Sequence, residues 1–417
     1  MKKDSHPIGN AHYINKLNKV KVLDLVRNND NLSRAEIAKR SGLSAPTVSR
    51  IVDALLAEGL IREIGEGSSH GGRRPIMLRL AAEDNFIIGI DLGTTNIYGV
   101  ITDLNARIIH ELKSPTHVPE GFPRVMEITA AVIDDLMARM GRNVDRIQGI
   151  GMAVAGLINR ERNIVEFSPN FNWHDVDILG VLGKKFRIPI IIDNVSRVMA
   201  LGEMRYGLGR DHKNLICVNV GYGIGAGFIV NGRPLYGPMG MAGELGHIIM
   251  DIDSRVQCGC GNFGCLEALA SGNAIARAAK TSLEAGESSL LLELCGGDTG
   301  LLTAEMIAHA AKQGDALAVR VFDRAAEYIG IALAGMVNIF NPEIVVIGGG
   351  VAQSGDILFE KVRKTVAARS LNKVSRDVLI RPATFGMKAA VMGAVALILG
   401  PVLNLDIDLS NGRNSGH

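Results

Sequence analysis

Four side chains of the kind that bind metal ions fall close together between positions 247 and 265 of this 417-residue chain. They are His247, Cys258, Cys260 and Cys265, and the glycines between them allow the backbone to turn tightly. Thiolate and imidazole groups suit Zn²⁺, and four protein ligands complete a tetrahedral structural site without an open position. The pattern therefore predicts a structural zinc ion that closes this segment into a compact loop. A group of buried, reduced cysteines is the alternative.

Composition indicates a folded chain from a reducing compartment. Hydrophobic residues make up 47% and charged residues 21% of the sequence, as in globular proteins, and the length suggests two or three domains. Five cysteines, an odd number, argue against a disulfide framework, and Cys217 and Cys295 are expected in the core. No apolar run is long enough to cross a membrane and the start is polar, so we expect a cytoplasmic protein without membrane insertion.

Charge is distributed unevenly along the chain. Residues 1–80 contain 14 Lys and Arg against 8 Asp and Glu, which gives a net charge of +6, whereas the remaining residues have a net charge of −4. A basic module joined to a mildly acidic body predicts a head that binds a polyanion such as nucleic acid. A solvated basic face without a ligand is the alternative.

The basic segment has the helix order of a helix-turn-helix. Apolar positions recur with helical spacing from 17 to 26. A second helix is predicted to begin at Ser33, where Glu36 completes a capping box, and to end at Gly42. A third, longer helix is predicted over 44–59. In this arrangement the last helix lies in the major groove of DNA.

Two strands and a glycine-rich loop complete the pattern of a winged domain. The alternating segments 60–64 and 76–80 predict the strands, and the loop between them contains adjacent arginines. The residues predicted to contact DNA are those expected to be exposed on the third helix and in the wing, namely Ser44, Thr47, Ser49, Arg50, Arg73 and Arg74. A winged helix that binds another protein is the alternative.

The body contains three strands that each run into a glycine-rich turn, at 86–96, 215–230 and 341–350. In the first of them Asp91 ends a strand and is followed by Gly93 and Thr94, groups that can hold a metal-bound phosphate beside free backbone amides. This pattern resembles the phosphate loop of the actin, hexokinase and Hsp70 fold, and the first two segments look like its duplicated halves. An ordinary tight turn is the alternative at each loop.

The motif Glu-x-Gly-His at 244–247, followed by Cys-x-Cys-Gly-x-x-Gly-Cys-x-Glu at 258–267, resembles the signature of the ROK family of repressors and sugar kinases. The resemblance implies an α/β fold of two ribonuclease H-like lobes, actin- and hexokinase-like, preceded by the winged helix-turn-helix. The domains are expected at 1–82 for the head, 83–197 for the first lobe with a C-terminal helix at about 386–400, and 198–385 for the second lobe.

Family resemblance also implies a sugar site. The expected sugar-binding residues are Asn170, Asn194, Glu244, His247 and Glu267. His247 would then bind zinc through one ring nitrogen and reach a sugar hydroxyl through the other. From the residues alone, Asn170 can be a turn residue, and the two glutamates can be carboxylates that stabilise loops.

One position departs from the pattern of the ROK kinases. Alignment matches Asn194 to a conserved kinase asparagine and Val195 to the aspartate that acts as general base. Valine cannot accept a proton, and Asp193, if it shared a strand face with Val195, would lie about 6–7 Å away, beyond hydrogen-bond reach. Tyr222 also stands where the kinases often have threonine. We therefore expect sugar binding without phosphorylation and no catalytic residue.

The expected function is a sugar-responsive repressor of carbohydrate genes that binds operator DNA and a sugar or sugar phosphate. A homodimer or homotetramer is expected, with the helix around 325–338 as a candidate interface. Two alternatives stay open. One is an ATP-dependent sugar kinase with a DNA-binding head, and the other is a docking protein whose head and body bind a transport-system component.

Overall fold

The computed structural model describes residues 11–29, 31–67, 74–371, 373 and 377–402. The head consists of α1 (Ala11–Asn28), β1 (Leu32–Ser33), α2 (Arg34–Ser41), α3 (Ala45–Ala57), β2 (Ile61–Glu66) and β3 (Ile76–Leu80). Ser33 caps α2 in a capping box with Glu36, and Gly42 ends the helix with a φ of 69°. The strands form a sheet in the order β1-β3-β2. The three helices and the two later strands predicted for the head are present, and β1 is an additional short strand that the sequence pattern did not predict.

The first lobe is built on a five-stranded sheet in the order β11-β7-β4-β5-β6. Its elements are β4 (Phe86–Leu92), β5 (Asn96–Asp103), β6 (Ile108–Pro115), α4 (Gly121–Arg139), β7 (Ile147–Val154), β8 (Leu157–Asn159), β9 (Ile164–Ser168), β10 (Trp173–Val176), α5 (Ile178–Leu182) and β11 (Ile190–Asn194). Strands β8, β9 and β10 form a separate small sheet. The glycine turn after β4 joins an antiparallel hairpin, as predicted.

The second lobe repeats this plan with a sheet in the order β14-β13-β12-β15-β16. It follows α6 (Val195–Tyr206), which begins where β11 ends. Its elements are β12 (Leu215–Val220), β13 (Ile224–Val230), β14 (Arg233–Pro234), α7 (Leu266–Ala270), α8 (Gly272–Glu284), α9 (Leu291–Leu294), α10 (Ala304–Lys312), α11 (Ala316–Phe340), β15 (Ile344–Gly348), α12 (Asp356–Arg369) and β16 (Leu379–Pro382). In both lobes a hairpin lies beside a parallel strand, β7 in the first and β15 in the second.

Helices α6 and α13 (Ala389–Val402) pack together between the two sheets. Helix α13 lies along β4 and β7 of the first lobe, while α6 contacts β12 and β13 of the second. Strand β11 ends at Asn194, and Val195 is the first residue of α6. The expectation that Asp193 and Val195 share one strand face is therefore wrong, because the chain changes from strand to helix between them.

The head shares a hydrophobic core with the first lobe. Leu23 and Val26 of α1 belong to the same buried cluster as Ile87 of β4 and Val395 of α13. Burial of apolar surface is the main favourable term in folding and association, so this shared cluster fixes the head to the body. Among the described residues, no helix has the length and apolar character needed to cross a bilayer.

Candidate functional site

The four candidate metal ligands converge in the structure. Their ligand atoms lie within 4.8 Å of one another. The Sγ atoms of Cys260 and Cys265 are 3.8 Å apart, which matches the edge of about 3.8 Å in a tetrahedron whose metal–sulfur bonds are about 2.3 Å long. Burial raises the pKa of Cys265 to about 12, so the thiol would have to give up its proton to bind a metal. The donor set and its spacing fit a tetrahedral metal ion.

His247 connects this cluster to the cleft between the lobes. Its Nδ1 lies 3.6 Å from Sγ of Cys258, whereas its Nε2 lies 3.9 Å from a carboxylate oxygen of Glu244. One ring nitrogen therefore faces the candidate metal position and the other faces away from it. This geometry is compatible with the two roles predicted for His247, which stay predictions.

Asn170 and Glu267 approach each other from opposite lobes. Asn170 follows β9 of the first lobe, whereas Glu267 lies in the first turn of α7 and accepts a hydrogen bond of 2.8 Å from the backbone N–H of Ile224. Gly223 lies between them, since a Cβ there would be 2.2 Å from Oε2 of Glu267 and 3.5 Å from Nδ2 of Asn170. A side chain at this position would have to displace the Glu267 carboxylate, and the two polar groups converge there.

Glu244 carries a largely buried carboxyl group. Burial raises its pKa, and the charge of Glu267 acts in the same direction, while His247 and Arg197 lower it. Three of the five predicted sugar-binding residues, Glu244, His247 and Glu267, therefore form one electrostatically coupled group on the second lobe.

Asn194 has a structural role in addition to the predicted one. Its side-chain oxygen caps α6 by accepting from the backbone N–H groups of Ser196 and Arg197, and its Nδ2 donates to the carbonyl of Gly156 at 2.9 Å. An asparagine amide carries a second N–H, which is the group that could meet a sugar hydroxyl. Its place in the sugar site stays a prediction.

The corner where a kinase would hold its general base contains a buried ion pair. Val195 is half-buried at the start of α6, and Asp193 is fully buried. Nε and Nη2 of Arg197 donate to the same oxygen of Asp193 at 2.9 and 2.6 Å. The carboxylate is thus bound within the protein by its neighbour on α6. Asp193 is therefore occupied, and Val195 offers no substitute.

Sequence reasoning missed a contact across the lobes that involves Arg160, Tyr236 and Arg197. The guanidinium of Arg160, in the turn after β8, lies 3.8 Å from the ring centroid of Tyr236, and that of Arg197 lies 5.1 Å from it. Nη1 of Arg197 also donates to the carbonyl of Ala242 at 3.0 Å. The segment that leads to Glu244 is thus held from both lobes. Local sequence gives no signal for it, because the partners are far apart in the chain.

A cavity of about 520 Å³ lies beside Asn170 in the first lobe, within the range of about 300–1,000 Å³ typical of small-molecule sites. Its lining includes Phe122 and Trp173. Trp173, the single tryptophan of the chain, is buried against Phe171, with ring centroids 4.3 Å apart. Its fluorescence can therefore report on this region without interference from another tryptophan.

The predicted phosphate loops have the expected backbone form. Asp91 lies near the end of β4, and burial raises its pKa to about 7. Tyr222, in the turn between β12 and β13, is 56% exposed. The structure thus contains the two hairpin turns of the resemblance, with a bulky ring in the second one.

The predicted DNA-contacting residues of α3 lie at its exposed start. Ser44 caps the helix and its hydroxyl lies 2.8 Å from that of Thr47, while Ser49 is half-buried. Arg50 is exposed, and its Nη2 donates to Asn15 of α1 at 2.6 Å. The guanidinium must leave this intramolecular contact to reach a base edge.

Only part of the predicted wing is described. Arg74 is exposed, and its guanidinium lies 4.0 Å from a carboxylate oxygen of Glu66 on β2. Arg73 lies outside the described residues. The roles of both arginines in DNA binding stay predictions.

Comparison with known proteins gives two family matches. Residues 17–62 match the family described as winged helix-turn-helix DNA-binding, and residues 87–400 match the ROK family. A putative xylose repressor of Caldicellulosiruptor sp. (strain Rt8B.4) is 34% identical over 397 residues, which cover 95% of this chain and 98% of the relative. A glucokinase of Halalkalibacterium halodurans is 34% identical over 316 residues, which cover 76% of this chain and 95% of the relative.

Among solved structures, a ROK family transcriptional regulator described as a homolog of the Escherichia coli MLC protein superposes with a TM-score of 0.82 at 28% identity. The match covers 94% of this chain and 97% of that structure. The regulators thus match the head and the body together, whereas the glucokinase matches the body alone. The chain belongs to the ROK family and carries a winged helix-turn-helix DNA-binding domain at its N-terminal end.

Proposed function

We propose that this protein is a sugar-responsive transcriptional repressor, which binds operator DNA through its head and a sugar in the cleft between its lobes without phosphorylating it. The proposal is supported by the combination of a winged head with a cleft where polar groups from both lobes converge. Val195, where the sequence predicts that a kinase would have its base, is the first residue of α6. D-xylose is the first effector to test, because a putative xylose repressor matches nearly the whole chain.

Five residues form the proposed sugar site, Asn170, Asn194, Glu244, His247 and Glu267. All five carry polar side chains, and their arrangement on both lobes suits a ligand with hydroxyls on several faces. A zinc ion held by His247, Cys258, Cys260 and Cys265 would shape the loop that presents His247 and Glu267. When bound, the ion supplies structural cross-linking only, since all four positions are protein ligands.

The test begins with the full-length protein and a random-sequence duplex library. We expect the protein to select a duplex with two similar half-sites, and D-xylose, D-glucose or N-acetylglucosamine to change Trp173 fluorescence and release the duplex. Arg50→Ala should weaken duplex binding by about 1–3 kcal/mol and relax the base preference at one position. A protein that selects no duplex, or whose duplex binding no sugar or sugar phosphate alters, contradicts the proposal.

A sugar kinase with a DNA-binding head is the second candidate, because a glucokinase is 34% identical over most of the body. Loss of a general base lowers a reaction rate by about 10²–10⁴-fold. With Mg-ATP and either D-glucose or D-xylose, we therefore expect sugar phosphate formation at least about two orders of magnitude slower than in a kinase. Turnover at an ordinary enzymatic rate would favour the second candidate.

We also propose that the protein acts as a homodimer or a homotetramer, since helix-turn-helix repressors read two half-sites through symmetry. The apolar face of α11 lies inside the core of the second lobe, so an interface on this helix would use its opposite face. Sedimentation analysis of the free protein and of its duplex complex tests the assembly. A monomer bound to a single half-site would contradict it.

A further inference from the structure

Helix α6 reaches both regions that the proposed function needs to connect. At its start, Asn194 caps the helix beside the cleft, and Arg197 donates to Ala242 in the segment that leads to Glu244. At its end, Arg205 and Tyr206 contact the DNA-binding head. The 12 residues of α6 span about 18 Å at a rise of about 1.5 Å per residue. One rigid element thus runs from the candidate sugar site to the head.

The contact with the head is specific and largely buried. Nη2 of Arg27, on α1, donates to the backbone carbonyl of Arg205 at 3.2 Å, and its guanidinium lies 5.3 Å from the ring centroid of Tyr206. Burial lowers the pKa of Arg27 and raises the pKa of Asp24, one turn earlier on α1. A desolvated guanidinium depends on the few partners it has, so a shift of α6 changes the environment of α1.

The residues around this contact pack α1, α6 and α13 together. Tyr206 packs against the cluster that contains Leu23 of the head and Val395 of α13. Helix α13 in turn lies along α6. Close-packed cores transmit displacement because they contain few voids that could absorb it.

A second connection between head and body is exposed. Asp84 pairs with Arg62 of β2 at 3.4 Å and with Arg146, just before β7, at 2.8 Å. Exposed ion pairs contribute little to stability and rearrange at low energetic cost. These charged residues are therefore a weak candidate for transmitting a change in the cleft to the head.

We propose that α6 transmits the state of the sugar cleft to the DNA-binding head, with Arg197 as its contact at the cleft and the Arg27–Tyr206 contact at the head. This inference rests on the proposed function. A sugar that binds one position of α6 more tightly than another must change duplex affinity, and the duplex must change sugar affinity by the same factor.

The test compares duplex affinity with and without saturating sugar, using the selected duplex and the sugar that changes Trp173 fluorescence. For the wild type we expect the duplex affinity without sugar and the duplex affinity with sugar to differ by a ratio of about 5–150-fold, as in other coupled sites. Arg27→Ala and Tyr206→Leu should still bind sugar, as Trp173 reports, but their ratio should fall below about two-fold. The two variants change the contact from opposite sides, so a folding defect in one leaves the other as the test.

Two control variants separate this route from a general structural effect. Tyr206→Phe keeps the ring, and the hydroxyl it removes is buried without a hydrogen-bond partner among the described residues, so the ratio should stay at the wild-type value. Arg146→Ala removes the exposed connection and should also keep the ratio. A wild-type ratio in both Arg27→Ala and Tyr206→Leu would overturn the inference, as would loss of the ratio in Arg146→Ala alone.

Hydrogen exchange of the wild type gives a second measurement that needs no DNA. Addition of the sugar should change the protection of amides in α1 as well as in the segment around Glu244. A change around Glu244 without any change in α1 overturns the inference and leaves the proposed function intact. Failure of every sugar to bind refutes the proposed function itself, so the two failures are distinguishable.

Discussion

The cleft has one wall on each lobe, and the two walls carry different groups. On the second lobe, Glu244, His247 and Glu267 form a coupled polar group beside the metal ligands, in the pattern of a sugar-binding site. On the first lobe, the corner that would perform chemistry contains Val195 and a carboxylate, Asp193, already paired with Arg197. Binding depends on several polar partners and tolerates the loss of one, whereas proton abstraction depends on a single group within hydrogen-bond reach. A chain without the base can therefore still bind a sugar, as the proposed function requires.

The largest expected effect tests the second-lobe wall. Cys260→Ser should reduce the zinc content from about one ion per chain to near zero and remove the response to sugar, because structural zinc sites contribute about 10–16 kcal/mol of binding free energy in small domains. Metal analysis and Trp173 fluorescence measure the two effects. Cys295→Ser, at a buried cysteine outside the cluster, is the control and should change neither. Full metal retention by Cys260→Ser would contradict the ligand set.

The next effect tests the first-lobe wall. Arg197→Met leaves the Asp193 carboxylate buried without its partner, which should lower the free energy of unfolding by about 3–5 kcal/mol. Lys185→Met removes an exposed ion pair with Asp134 and should lower it by less than about 1 kcal/mol. Urea unfolding of both variants measures the difference. Equal effects would mean that the buried pair does not organise this corner.

A smaller effect separates sugar binding from DNA binding. Glu244→Ala should weaken sugar binding by about 1.5–3 kcal/mol, the contribution of hydrogen bonds to a charged group, while duplex affinity without sugar stays unchanged. Glu166→Ala, which removes a carboxylate paired with Asn159 in the small sheet, is the matched control. Sugar titrations followed by Trp173 fluorescence measure the affinities. Unchanged affinity in Glu244→Ala would refute the assignment of this wall.

The smallest effect concerns the head, which lies outside both walls. Hydrogen bonds from the backbone and side chain of Ser33 hold the pKa of Glu36 below its usual 4.5. The capping box therefore stabilises the fold above that value, and the contribution is lost as the pH falls through the lowered pKa. Glu36→Gln supplies an amide that can still complete the hydrogen bonds of a capping box and removes only the charge near the helix N-terminus, so it should cost at most about 0.3–1 kcal/mol at pH 7 and nothing at strongly acidic pH. A cost that persists at acidic pH would contradict the charge-based origin.

Much of the fold and of the candidate site depends on short-range sequence patterns and could be predicted from the sequence. The capping box of α2, the hairpins of both lobes and the metal ligands each depend on residues near one another in the chain. The strand-to-helix change between Asn194 and Val195 could not be placed, since boundaries depend on tertiary contacts. That single boundary decides whether Asp193 faces Val195 or pairs with Arg197.

The sequence by itself predicted the winged head and the His/Cys cluster, because these depend on residue type at fixed spacing. Only the tertiary structure decided that Arg160 and Arg197 meet at Tyr236, that Arg27 reaches Tyr206, and that the head and first lobe share one core. Such contacts join residues distant in the chain, and their partners are selected by the packing of whole elements rather than by any local pattern.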